Sequence, residues 1–156
     1  MRIEVKWLGK LTISKGSRGF FDSIKHFNFE QIPAAAAGIY VFARQHGNMI
    51  EPIYVGKAGN LRSRIKTQFN NLNLMTAVNN SKSGSRILLV GTIAALPNQT
   101  LGKILPIAER AHIRAALAAG YALVNKQGTK TKTHTIEIVG SKPHAFPFER
   151  EILANQ

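Results

Sequence analysis

The chain has no cysteine among its 156 residues. That excludes disulfides, thiolate nucleophiles and Cys-based zinc sites. Acid is also scarce: eight Asp plus Glu stand against 21 Lys plus Arg, for a formal charge of +13. Asp22 is the only aspartate, which argues against Ser/His/Asp catalysis. The histidines (His26, His46, His112, His134 and His144) show no metal-ligand spacing. Residues 56 to 60, GKAGN, lack the order of a phosphate-binding P-loop. Long apolar runs are missing too. The longest, around 34–43 and 87–96, fall far short of a membrane span. The alternating start MRIEVKWLGKL has no signal-peptide core. A soluble, cytoplasmic protein with no membrane partner is expected.

What is present is positive charge. A balance this basic favours a polyanionic partner, because each neutralised phosphate releases counterions. The charge is unevenly spread. Between Pro52 and Ile136 there is one carboxylate, Glu109, among twelve Lys/Arg. Carboxylates repel phosphate, so their near-absence suits a phosphate-facing surface, and the exception needs a reason of its own.

The length fits one domain, 1–156, with a core large enough to need no covalent staple. Alternation over 2–7 (RIEVKW) predicts a strand with Ile3, Val5 and Trp7 on one face. FFDSIKHF predicts a short helix. GIYVFAR and MIEPIYVG, separated by HGN, predict a hairpin, with Pro52 marking an edge or a bulge. Asn60 is placed to cap a helix carrying Leu61, Ile65 and Phe69. The segment 70–85 is polar and reads mostly as an exposed loop. RILLVGTIAAL reads as a buried strand. A helix is expected from about Leu105 to Ala119, with Pro106 in its first turn and Gly120 just past its end. A basic loop, a closing strand HTIEIVG and an irregular tail from Ser141 follow. The fold class is α/β: a small central mixed or antiparallel sheet flanked by helices.

The hairpin holds two Gly/Tyr triplets, Gly38-Ile39-Tyr40 and Tyr54-Val55-Gly56, their tyrosines fourteen residues apart. Arg64 follows Gly56 by eight residues, and Asn125 follows Glu109 by sixteen. In this order the residues resemble the GIY-YIG nuclease family over roughly 37–138, with an N-terminal extension, 1–36, and a tail, 139–156. The resemblance implies a metal-dependent DNA endonuclease that uses Mg²⁺ or Mn²⁺ and no organic cofactor. It implies Glu109 as the metal ligand, Tyr40 as general base, Tyr54 lining the site and Arg64 on the scissile phosphate. Asn125 would brace the site by hydrogen bonds.

The residue chemistry bears on each role. One or two carboxylates suffice for Mg²⁺ when water and phosphate complete its shell. A free phenol near pKa ~10 is a poor base at neutral pH, so Tyr40 would need nearby cations, Lys57 among them, to lower that value. Guanidinium offers a forked, permanent charge for phosphate. Arg62, Lys66, Gln68, Lys126, Lys130 and Lys132 are the expected nucleic-acid contacts. Gln68 stands where several family members carry histidine, and glutamine can hydrogen-bond without carrying a proton. A restriction-type, repair or toxin-like role stays open, as do oligomeric state and cut geometry. The competing reading is a non-catalytic nucleic-acid-binding domain of the same fold.

Overall fold

A computed structural model of the chain describes residues 1–125, 133–139, 146–148 and 151–155, the strands at 133–139 and 151–155 by their backbone alone. Lys126, Lys130 and Lys132 lie outside the described residues.

The elements are strands β1 (Arg2–Trp7) and β2 (Leu11–Ser14), helix α1 (Phe20–Lys25), a 3-10 turn (Phe29–Gln31), the hairpin β3 (Gly38–His46) and β4 (Met49–Ala58), helices α2 (Leu61–Phe69) and α3 (Leu72–Asn79), strand β5 (Ser85–Thr92), helix α4 (Leu101–Ala118), and strands β6 (Thr133–Val139) and β7 (Glu151–Asn155). The strands form a single seven-stranded sheet in the order β4-β3-β5-β1-β6-β7, with β2 also on β5. β1 and β6 run parallel and the other pairs antiparallel, so the sheet is mixed. Residues 1–36, read as an extension, therefore supply two strands to the sheet itself. Among the described residues no helix is long and apolar enough to cross a membrane.

Each face of the sheet carries its own apolar layer. Ile39, Val41, Val55 and Leu89 pack with Ile3, Val5 and Trp7 against α4. Tyr40, Phe42, Leu88 and Val90 pack against α1, α2 and α3. Alternation along the central strand β3 thus sends neighbouring residues to opposite layers. Pro52 sits at a bulge: Phe42 faces Tyr54 and Ala43 faces Pro52, which leaves Ile53 as the extra residue. β4 ends the sheet, and its outer edge is met by Val124, whose N–H donates to the Ile53 carbonyl.

Three expectations need correction. The segment 70–85 is not mostly loop, because Leu72–Asn79 is helical and buries Leu74, Met75 and Val78. Its asparagines are end groups: Asn71 caps the start, accepting from the Leu74 N–H. α4 starts at Leu101, before Pro106. The carbonyl that Pro106 deprives of a donor, Gly102, lies in an exposed turn and stays solvated. The tail is not irregular throughout. It adds β7 beside β6, while Phe146 and Phe148 pack on Trp7.

One buried cation holds the α3–β5 connection. Arg86, about 1% exposed, donates to the carbonyls of Asn79, Ser81, Lys82 and Gly84. Burial, and then the Arg44 charge, pull its pKa below the usual guanidinium value. Arg86→Met would remove every one of these donors, buried themselves, from the carbonyls of a partly exposed turn. The expected loss is about 3 kcal/mol or more, read as a lower urea midpoint at unchanged slope.

Candidate active site

The two Gly/Tyr triplets interlock. Tyr40 is the direct cross-strand partner of Gly56. A Cβ built on Gly56 would fall 2.3 Å from the Tyr40 ring, so the ring lies over the bare glycine. Gly38 serves a different contact: its Cβ would fall 1.9 Å from the Gly91 carbonyl oxygen. Both glycines are thus required by close approach, one to a ring and one to backbone.

Around Tyr40 the structure gathers a polar group. Its ring stacks on Tyr54, centroids 6.1 Å apart. Gln68, one turn beyond Arg64 on α2, donates from Nε2 to the Tyr40 hydroxyl at 2.7 Å and more weakly to Tyr54 at 3.4 Å. Asn71 donates to Gln68 Oε1, which fixes the amide with its NH₂ toward the phenols. Arg64 lies close enough to Tyr40 for the two groups to interact electrostatically. The Tyr40 oxygen thus accepts from Gln68, which leaves its own O–H available to donate. Gln68 is about 3% exposed. It is a brace for the two phenols and does not offer the surface contact expected of it.

The Tyr40 acidity runs against expectation. Burial pushes its pKa up to about 12; the Gln68 hydrogen bond and, after a raising contribution from Tyr54, the Arg64 guanidinium pull it down. Lys57 does not share in this, because its ammonium is spent elsewhere. Desolvation outweighs the cations, since a fully covered phenolate loses more hydration than two donors restore. In the free protein at neutral pH, Tyr40 is a hydroxyl, not a base. The stability consequence has a definite sign. A folded pKa above the unfolded value of ~10 gives a contribution that is fully present below pH ~10 and lost as pH rises toward 12. A phenolate absorbance titration should show one tyrosine ionising only as pH nears 12, and Tyr40→Phe should remove that late step.

Glu109 and Lys57 form the second half of the group. Along β4 the side chains alternate, Tyr54 and Gly56 toward α2, Val55 and Lys57 toward α4. Glu109 lies on the buried stripe of α4 with Leu105, His112 and Ala116, about 9% exposed. Its Oε2 accepts from Lys57 Nζ at 3.0 Å. The other oxygen, Oε1, has no hydrogen-bond partner among the described residues. The carboxylate still reaches Arg64 electrostatically. The Arg64 pKa is raised, first by Tyr40, with smaller contributions from Tyr54 and Glu109. The expected single cluster is thus two adjoining halves, one on each face of edge strand β4, linked by Arg64.

Asn125 does brace this strand. Its Oδ1 accepts from the Val55 N–H at 3.1 Å and its Nδ2 donates to the Val55 carbonyl, as a neighbouring strand would. Arg62 is tied to backbone, donating to the Ile32 carbonyl at 2.8 Å. Lys66 is exposed, its ammonium 5.4 Å above the Phe29 ring.

No group of three or more His, Asp or Glu converges among the described residues. A single carboxylate with one open oxygen suits an ion that keeps most of its water and takes phosphate oxygens as further ligands, as Mg²⁺ does. Comparison of the chain with protein-family models, with curated proteins and with solved structures returns no match.

Proposed function

We propose that the protein is a metal-dependent DNA endonuclease of the GIY-YIG type, hydrolysing phosphodiester bonds at the Tyr40–Arg64–Glu109 group. One observation carries the reading: Arg64, a cation on an exposed helix face, is within electrostatic reach of both the Tyr40 hydroxyl and the isolated carboxylate Glu109. A phosphate laid on Arg64 would meet a permanent positive charge aimed at its non-bridging oxygens. The free O–H of Tyr40 would donate to such an oxygen or to the attacking water, its ring held in place by the Gln68 bond. Tyr54 would wall the same side. Glu109 would hold Mg²⁺ or Mn²⁺, which when bound would make the attacking water more acidic and offset charge on the leaving oxygen. Hydrolysis would form a bond from the water oxygen to phosphorus and break the bond to the leaving oxygen, which takes up a proton.

The two arginines of α2 supply the test. Arg64→Ala should slow nicking of supercoiled plasmid at least ~100-fold, whereas Arg62→Ala, whose side chain is tied to Ile32, should change it little. Equal effects would count against Arg64 as the phosphate ligand.

A second reading is favoured by two observations, the protonated state of Tyr40 and the Lys57–Glu109 ion pair. Both suit a domain that binds nucleic acid without cutting it. In that case the Arg64 and Glu109 variants alter binding, and no divalent ion is needed.

A further inference from the structure

A groove of about 480 Å³ lies on the far side of α2 from the tyrosines, between α1, α2 and α3. It falls within the ~300–1,000 Å³ of small-molecule sites. Its walls include Phe21, Phe29 and Leu72, with Lys25, Lys66 and Asn70 among the polar lining groups. Phe21 is 39% exposed and Leu72 69%, although both are large and apolar. Among the described residues no carboxylate lines the groove.

We infer that this groove takes an unpaired base of single-stranded DNA, and that the substrate therefore carries a single-stranded segment. The inference rests on the nuclease reading for its polyanionic partner, and deepens it. The occupant must present a flat apolar face with negative charge close by, which is the chemistry of a nucleotide. Aromatic walls stack a base of any identity, and two ammonium groups hold the phosphates on either side of it. The Asn70 amide can bond a base edge. Helix α2 carries Arg62, Arg64 and Lys66 and no acid. At 100° per residue Arg64 and Lys66 face nearly opposite ways, so the groove and the Tyr40 group flank one helix. A strand crossing the crest of α2 over exposed Ser63 and Thr67 would join them within about two to three nucleotides. Duplex DNA cannot place a base in the groove without first unstacking it.

Fluorescence anisotropy tests this with a labelled single-stranded oligonucleotide and its duplex, both in EDTA. Phe21→Ala and Lys25→Gln alter exposed positions, and circular dichroism checks that each variant is folded. Phe21→Ala is expected to weaken single-strand binding roughly tenfold while duplex affinity stays within about twofold. Phe21→Trp should show indole fluorescence quenched by the single strand. Equal changes on both DNA forms, or none on either, overturn the inference. So does a Phe21→Ala variant that loses self-association in sedimentation but binds the oligonucleotide unchanged, because the groove then takes a second copy of the chain. A wild type that nicks plasmid without any Phe21 effect sinks the groove alone. A wild type that binds neither DNA form sinks the nuclease reading with it.

Discussion

Glu109→Gln is expected to lower metal-dependent plasmid nicking by roughly 1,000-fold while leaving DNA binding nearly intact. Glutamine keeps the shape of the carboxylate but removes its charge, and Glu109 is the sole acid between Pro52 and Ile136. The loss would not come from unfolding. Lys57, whose side chain is 40% exposed, can turn to solvent when its partner is neutralised. An ion pair so placed contributes about 1 kcal/mol or less. A thermal melt within a few degrees of wild type, together with lost cleavage, would separate chemistry from stability. Parallel loss of binding and cleavage would instead assign Glu109 to scaffolding.

The second large effect concerns the glycines of the two triplets. Gly38→Ala should destabilise the fold by about 4 kcal/mol or more, because the new methyl meets the backbone carbonyl of Gly91 and the β3–β5 ladder must part. Gly56→Ala meets the far end of the Tyr40 side chain instead. That ring is held among Phe42, Tyr54 and Gln68, so it cannot swing out freely. A cost of about 1–3 kcal/mol is expected. Tyr40 should also leave its hydrogen bonds, moving its ionisation down from about 12 toward the ordinary phenol value. Urea melts rank the two variants, and phenolate absorbance reports the ring. A Gly56→Ala protein with unchanged stability and an unchanged tyrosine titration would mean that the ring does not lie over that glycine.

Much of this site was legible in the sequence. The spacing of the triplets and of Arg64 placed Tyr40, Tyr54 and Arg64 beside one another, since a strand hairpin followed by a capped helix has few ways to fold. Asn125 hydrogen-bonds the Val55 backbone with both ends of its amide. What the sequence hid was burial. Twelve Lys/Arg argued for an acidified phenol, but covering the ring costs a phenolate more than nearby cations return, and covering cannot be read from charge counts. Gln68 reads as a surface contact because α2 is polar on that side, yet it faces the tyrosines across a hydrogen bond. Sequence proximity to the second triplet points Lys57 toward Tyr40, whereas strand alternation turns it to the opposite face and onto Glu109. The asparagines around α3 read as loop residues, whereas they are the end groups of the helix. The sequence does carry one further signal. Glu109 falls in phase with Leu105, His112 and Ala116, so it stands on the buried stripe of α4, where an acid needs a partner or a task.

The most direct measurement is supercoiled plasmid incubated with the purified wild-type protein, with Mg²⁺ and with EDTA. Conversion to nicked circles in Mg²⁺ alone is the expected result. Tight plasmid binding with no nicking in Mg²⁺ or Mn²⁺ would contradict the enzyme and leave a DNA-binding domain in its place.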